Sequence, residues 1–406
     1  MHKITTVMIG ISKLYCGAVE ASDPLRYGRE SSLLPSHLLQ FSKDKKPVVV
    51  WNMTKRCNLK CVHCYARAKG ESYRGKELST EEGKRLIDDL AAFGVPVILF
   101  SGGEPLLRED LPSLIDYAVK KGMRAVVSTN GTLITEEKAL MFSAFSLSYI
   151  GVSIDGIGEV NDAFRGMTGA FDKAIAGIRN AKKAGIKVGL RFTINKRNYL
   201  EIPKVFDLIE SEGIERVCFY HLVYAGRGSK LIEEDLSHSE TRKALDYIMD
   251  RTKESFNRGR PLEVLTVDNH SDAPYIYLRL LEEDKRRAEE AYSLLMMNEG
   301  NASGVGIACV DEEGNVHADQ FWRHYGFGNV KERPFSEIWM DTSNDLMAKL
   351  KNKKQFVTGR CTRCTWLNIC GGNFRVRAEA ATGDIWAEDP QCYLTNEEVA
   401  EALKCG

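Results

Sequence analysis

The chain has 406 residues, with 56 lysines and arginines against 56 aspartates and glutamates, so no overall charge favours nucleic acid or an anionic membrane. Its length allows a large core in one or two domains. No run approaches the roughly 20 apolar residues of a membrane helix, and the first apolar patch is cut by Lys13, which makes a poor secretory signal.

About 45 residues precede the first strong strand signal. From there short buried-type strands alternate with amphipathic helices. The strands are expected at Pro47–Met53, Val95–Ser101, Arg124–Thr129, Ser148–Ile154, Lys187–Ile194 and Arg216–Leu222. They are β-branched or aromatic-rich and read as apolar on both faces, as parallel strands covered by helices should be. Ser79-Thr80-Glu81-Glu82 is a capping box whose helix stops at Gly94. Asp110 opens the next helix, closed by Gly122, and later helices close at Gly185 and Gly213. Six βα units with right-handed crossovers predict an α/β fold built on a partial (β/α)6 TIM-like barrel. Residues 229–304 read as a mostly helical connection. Within it the charged stretch 281–290 mixes signs at i,i+4 spacing, as a solvated helix face does. Residues 305–330 carry strand and turn signals, and a helix is expected around Phe335–Leu350. The expected organisation is an N-terminal extension over 1–45, a barrel over 46–228, the connection over 229–304 and a C-terminal domain over 305–406.

In such barrels chemistry gathers at the C-terminal ends of the strands. Cys57-x3-Cys61-x2-Cys64 follows the first strand, Ser101-Gly102-Gly103-Glu104-Pro105 the second, and Ser128-Thr129-Asn130-Gly131 the third. Ser153-Ile154-Asp155-Gly156 and Thr193-Ile194-Asn195 follow the next two. Thiolates suit iron–sulfur clusters, zinc or copper(I). Three of them leave one iron of a [4Fe–4S] cube open, whereas structural zinc closes its shell with a fourth Cys or His. A second group, Cys361, Cys364, Cys370 and Cys392, supplies four thiolates that could hold either a cluster or zinc. Seven of the eleven cysteines fall in these two groups, which points to a reducing cytoplasm. Cys16, Cys218, Cys309 and Cys405 have no evident partners and read as buried or incidental thiols.

Together CNLKCVHC and SGGEP resemble the radical S-adenosylmethionine (SAM) superfamily. The resemblance implies a [4Fe–4S] cluster on Cys57, Cys61 and Cys64 whose open iron chelates SAM, and cleavage of SAM to a 5′-deoxyadenosyl radical. It implies that Glu104 binds the methionine ammonium, with Gly102 and Gly103 allowing close approach. Ser153, Asp155 and Asn195 become candidates for the ribose hydroxyls and carboxylate, and Tyr65 for packing near adenine. The family usually has an aromatic where this chain has His63. The second cysteine group resembles the SPASM or twitch extension of these enzymes. The two-cluster version would need a cysteine at residue 374, where this chain has Phe374, and Cys309 has no following partner before Cys361. One auxiliary [4Fe–4S] cluster on Cys361, Cys364, Cys370 and Cys392 is therefore expected, two clusters in all.

Within the superfamily, peptide-modifying SPASM enzymes often carry an N-terminal peptide-binding domain, and about 45 residues are too few for one. Residues 8–17, 34–42 and 46–53 instead resemble the 12,18-didecarboxysiroheme deacetylases of anaerobic haem biosynthesis, with Met8 a candidate native start. That resemblance implies removal of two acetate side chains to give iron-coproporphyrin III. A low-potential donor such as flavodoxin or ferredoxin would supply electrons, and oxygen would inactivate the enzyme. Related haem synthase and haem d1 enzymes share the scaffold, and a non-catalytic zinc or iron–sulfur protein is the reading of another class. A tetrapyrrole needs a large apolar slot with cations for its carboxylates. The candidates are Arg227, Arg323, Arg375 and Arg377, with His317, His324 or His221 for iron or proton transfer.

Overall fold

The computed structural model describes residues 8–19, 46–260, 262–298 and 300–400. Segment 34–42 and Cys405, both used above, lie outside those residues. One ten-stranded mixed sheet organises the rest. It begins with β1 (Met8–Gly10), followed in chain order by β2 (Val48–Asn52), β3 (Val97–Ser101), β4 (Arg124–Thr129) and β5 (Tyr149–Ser153). Next come β6 (Val188–Ile194), β7 (Arg216–His221), β8 (Glu263–Val267), β9 (Ile307–Val310) and β10 (Val316–His317). Strands β2 to β8 pair parallel in sequence order, and β9 joins the outer side of β2, also parallel. The two end strands, β1 against β8 and β10 against β9, run antiparallel.

The barrel strands lie within a residue or two of the expected positions. Two regions differ. Residues 229–304 are not wholly helical, because β8 interrupts them and extends the parallel run by one strand. The N-terminal segment adds a strand to the sheet and a short helix, Ile11–Cys16, closed by Gly17. Ser12, almost fully buried, anchors that helix by accepting a hydrogen bond from the Val264 backbone at 3.1 Å. The helix expected around Phe335–Leu350 is two helices, Phe335–Met340 and Asp345–Lys351.

Local signals explain the helical layer. Ser79 and Glu82 exchange both bonds of a capping box, and Gly94 ends that helix in the left-handed conformation. Its buried face, Leu86, Ile87 and Leu90, covers the sheet. Gly83 comes so close to the Trp51 ring that a Cβ there would collide with it.

The C-terminal region is riveted to the barrel rim by buried polar groups. Arg377 is fully buried and grips Asp389 through two 2.8 Å bonds. It also donates to the carbonyls of Leu222 and Asp268, each at 3.0 Å. Asn373 donates to Asn269 and Ser271 and accepts from the His270 backbone. Removing one member of a buried pair strands the other charge at a cost of about 3–5 kcal/mol. R377M is therefore expected to lower the thermal midpoint sharply, and a scanning-calorimetry trace unchanged from wild type would contradict that.

Candidate active site

The parallel register brings the C-terminal ends of β2 to β7 to one rim, and every polar strand end singled out in the sequence lies there. The segment after β2 folds back so that Cys57, Cys61 and Cys64 all line one cavity. Its base is clamped by the SGGEP turn. Gly103 donates to the Thr54 carbonyl at 2.6 Å, and Glu104 to that of Arg56 at 2.8 Å. A Cβ on Gly102 would strike the Thr54 backbone and one on Gly103 the Arg56 carbonyl, so both glycines are required by close approach. Arg227 closes the loop from above, donating to the carbonyls of Cys61 at 2.8 Å and Ala68 at 3.1 Å.

Glu104 is fully buried. Its Oε1 accepts from Thr129 Oγ1 at 2.7 Å and from the Leu106 backbone at 3.1 Å, and Oε2 accepts from the Asn130 backbone at 2.8 Å. Burial pushes its carboxyl up, and those three bonds only partly offset that. One lone-pair position of Oε2 is left for a further donor. Tyr65 lines the cavity, its hydroxyl donating to Asn52 at 3.2 Å and lying 3.4 Å from Ser101 Oγ. Ser153 also lines the cavity. Asp155 is buried behind it, paired with Arg165 at 2.6 Å and His63 at 3.3 Å, and accepting from the Thr193 backbone. Burial lowers the His63 pKa despite the pull of Asp155. Asn195 does not line the cavity. It spends its amide within the turn, accepting from the Arg197 backbone and donating to the Thr193 carbonyl.

Cys57, Cys61 and Cys64 bring three soft thiolate donors to one cavity, a donor set that suits a [4Fe–4S] cube with one open iron. Cys361, Cys364, Cys370 and Cys392 line a second, small cavity together. Burial pushes Cys57 up to about 12 and Cys361 up to about 11, so both are neutral thiols until a metal deprotonates them. Phe374 is buried against Phe321, with ring centroids 5.5 Å apart.

The first cavity encloses about 340 Å3 and reaches down the barrel, where Met8 and Gly306 line it from opposite ends of the strand order. That volume falls in the range of small-molecule sites, about 300–1,000 Å3. Of the cations expected to serve a substrate, Arg227 lines it, as does His221. Arg323 instead pairs with Glu312 at 2.5 Å, while Arg375 and Arg377 are consumed by backbone carbonyls and Asp389. His317 pairs with Asp311, and His324 with Glu379. The sequence reading missed Arg124, Arg191 and Arg216, which point from β4, β6 and β7 into the same space with Tyr149 and Tyr220. Their signal was alternation: Arg124-x-Val126-x-Ser128 and Arg216-x-Cys218-x-Tyr220 put one polar face on strands taken as apolar on both. Arg191 donates to Ser128 at 2.6 Å, and among the described residues its buried Nε has no hydrogen-bond partner. D155N would remove the countercharge of buried Arg165 and cost about 3–5 kcal/mol. The expected outcome is a lower thermal midpoint and faster proteolysis of the cysteine loop, and native values for both would contradict this geometry.

The comparisons agree with this architecture. Residues 51–209 match the family model described as the Radical SAM superfamily. Over 97% of its length the chain is 66% identical to the Fe-coproporphyrin III synthase of Methanosarcina barkeri (strain Fusaro), covering 99% of that protein. It is 44% identical to the pre-heme d1 synthase of Dinoroseobacter shibae, over 88% of each chain. The fold resembles the crystal structure of Streptococcus suis SuiB bound to S-adenosylmethionine, with TM-score 0.68 and 17% identity over 86% of this chain and 78% of that one. With the clamped cysteine loop, the SGGEP turn and full-length similarity at this level, the chain belongs to the radical SAM superfamily.

Proposed function

We propose that this chain removes the two acetate side chains of 12,18-didecarboxysiroheme to give iron-coproporphyrin III. The observation that carries the reading is the 66% identity, over nearly the whole chain, to a protein named for that product. The cavity supports it. Arg124 and Arg191 offer guanidinium groups to the substrate carboxylates, Arg216 beside them being paired with Glu263 at 3.5 Å, and Tyr149, Leu99, Val126 and Val267 provide an apolar wall for the macrocycle.

In this reading Cys57, Cys61 and Cys64 hold the first [4Fe–4S] cluster, and Cys361, Cys364, Cys370 and Cys392 the auxiliary one. Glu104 accepts the methionine ammonium of SAM through the free position on Oε2, beside Gly102 and Gly103. Ser153 and Tyr65 face the nucleoside from the cavity wall. Asp155 acts on SAM indirectly by fixing Arg165 and His63, and Asn195 by shaping the turn that follows β6. When bound, the cluster and SAM would supply a 5′-deoxyadenosyl radical for abstraction of the hydrogen on the ring carbon beside each acetate-bearing carbon, and loss of the acetate arm by β-scission would then restore ring conjugation. The chain's own contribution is to bind the macrocycle in the cavity beneath the rim, between the guanidinium groups and the apolar wall. A low-potential donor of the flavodoxin or ferredoxin kind completes the set of partners, and a cytoplasmic location suits the seven ligand thiols. No helix of the described residues is long and apolar enough to cross a membrane.

Two measurements test this. Anaerobically reconstituted protein should hold about eight irons, and alanine at Cys57, Cys61 and Cys64 should leave about four and abolish SAM cleavage. About eight irons remaining in that variant would contradict the single auxiliary cluster. An anaerobic assay offering 12,18-didecarboxysiroheme, iron-coproporphyrin III and a precursor peptide should show loss of two acetate arms from the first alone. Vinyl groups formed from iron-coproporphyrin III would make the chain a haem synthase, and a crosslinked peptide would discard the tetrapyrrole reading.

A further inference from the structure

Asp268 follows β8 directly and lines the main cavity, yet none of the roles above uses it. It is almost fully buried. Among the described residues no donor hydrogen-bonds its carboxyl; the neighbouring Arg377 is spent on Asp389 and on the Asp268 backbone carbonyl. Its backbone is left-handed, φ 68°, a conformation an aspartate adopts at some cost. Burial pushes its carboxyl up to about 8; Arg377 pulls the other way and the Asp319 charge adds to the rise. A carboxyl that is neutral at pH 7, inside a substrate cavity, is built to give up a proton.

Its neighbour points the same way. Tyr220 pairs with Val267, so His221 and Asp268 emerge side by side from β7 and β8, and both line the cavity. His221 is fixed from behind: Asp272 takes its Nε2 at 2.9 Å, and Tyr393 donates to the other Asp272 oxygen at 2.6 Å.

We propose that Asp268 is the general acid that protonates the expelled acetate arm, with His221 beside it as the next proton-holding group on the wall. The assignment rests on the substrate reading above. β-Scission breaks the bond between ring carbon and methylene homolytically, so the arm leaves as a carboxymethyl radical. To become acetate it takes one electron from the low-potential one-electron donor protein and one proton, which forms the new methyl C–H bond. Electron transfer alone would create a dianion beside the buried wall of the cavity, a cost that simultaneous protonation removes. Asp268 is left as a carboxylate and regains a proton from solvent before the second arm departs.

The test uses the reconstituted full chain with 12,18-didecarboxysiroheme, SAM and reduced flavodoxin, counting 5′-deoxyadenosine and acetate in the same samples. D268N should keep SAM cleavage near the wild-type rate while acetate per 5′-deoxyadenosine falls about a hundredfold, and D268E should restore most of it. D268A repeats the comparison should D268N fail to fold. Independently of turnover, the resting wild-type protein at pH 7 should show the infrared carbonyl band of a buried protonated carboxyl that D268N or D268A lacks. An unchanged acetate ratio, a parallel loss of both products, or the absence of that band overturns the assignment. Wild type releasing no acetate at all would instead defeat the substrate reading, and the role of Asp268 with it.

Discussion

Three hydrogen bonds to one buried carboxylate hold the rim of this barrel together. Glu104 lies in the turn after β3, yet its oxygens are spent mostly on the end of β4 and the turn that follows it, through Thr129 and Asn130. The same turn reaches the cysteine loop, because Asn130 donates to Asn58 at 2.8 Å. Glu104 therefore ties three consecutive strand ends into one surface, and the backbone bonds from Gly103 and Glu104 to the 54–56 segment fix the height of the cysteines above it. A neutral or shortened side chain at 104 would leave buried donors unpaired, each at about 1–3 kcal/mol.

A second set of buried polar bonds makes the C-terminal region part of the same cavity. Arg377 stitches Asp389 to the ends of β7 and β8, and Tyr393 reaches Asp272 behind His221. Cys392 precedes Tyr393 in sequence, so the proposed auxiliary cluster and the proton-holding wall share one short stretch of chain. Phe321 extends the connection, packing between Tyr65 at 5.1 Å and Phe374 at 5.5 Å. The aromatic at 374, where the two-cluster pattern has a cysteine, thus packs behind Phe321, which lines the cavity.

Much of this was legible in the sequence because it depends on local signals. The cysteine spacings, the glycines of SGGEP, the capping box at Ser79 and the β-branched strands each carry their meaning within a few residues. What was missed depends on distant pairing. Glu263–Val267 is a strand because β7 offers it an edge, and its five residues sit between helical stretches that dominate any local average. Arg375 and Arg377 looked like substrate cations because nothing local shows that Asp389 and five backbone carbonyls would consume them. Arg124, Arg191 and Arg216 fell inside strands read as apolar on both faces, although their two-residue alternation with Ser128, Thr193 and Tyr220 marks an interior face. Asn195 was read as a ligand because turn-capping asparagines and binding asparagines share the same strand-end position.

The central claim is that the rim and the cavity beneath it form one reaction chamber, in which a radical generated at the cysteine loop reaches a tetrapyrrole ring carbon. Substrate deuterated at the hydrogen-bearing carbons beside the two acetate-bearing carbons tests it most directly. Mass spectrometry of the 5′-deoxyadenosine formed in a single anaerobic turnover should find one deuterium in its 5′-methyl group. Unlabelled 5′-deoxyadenosine, formed together with iron-coproporphyrin III, would contradict the account.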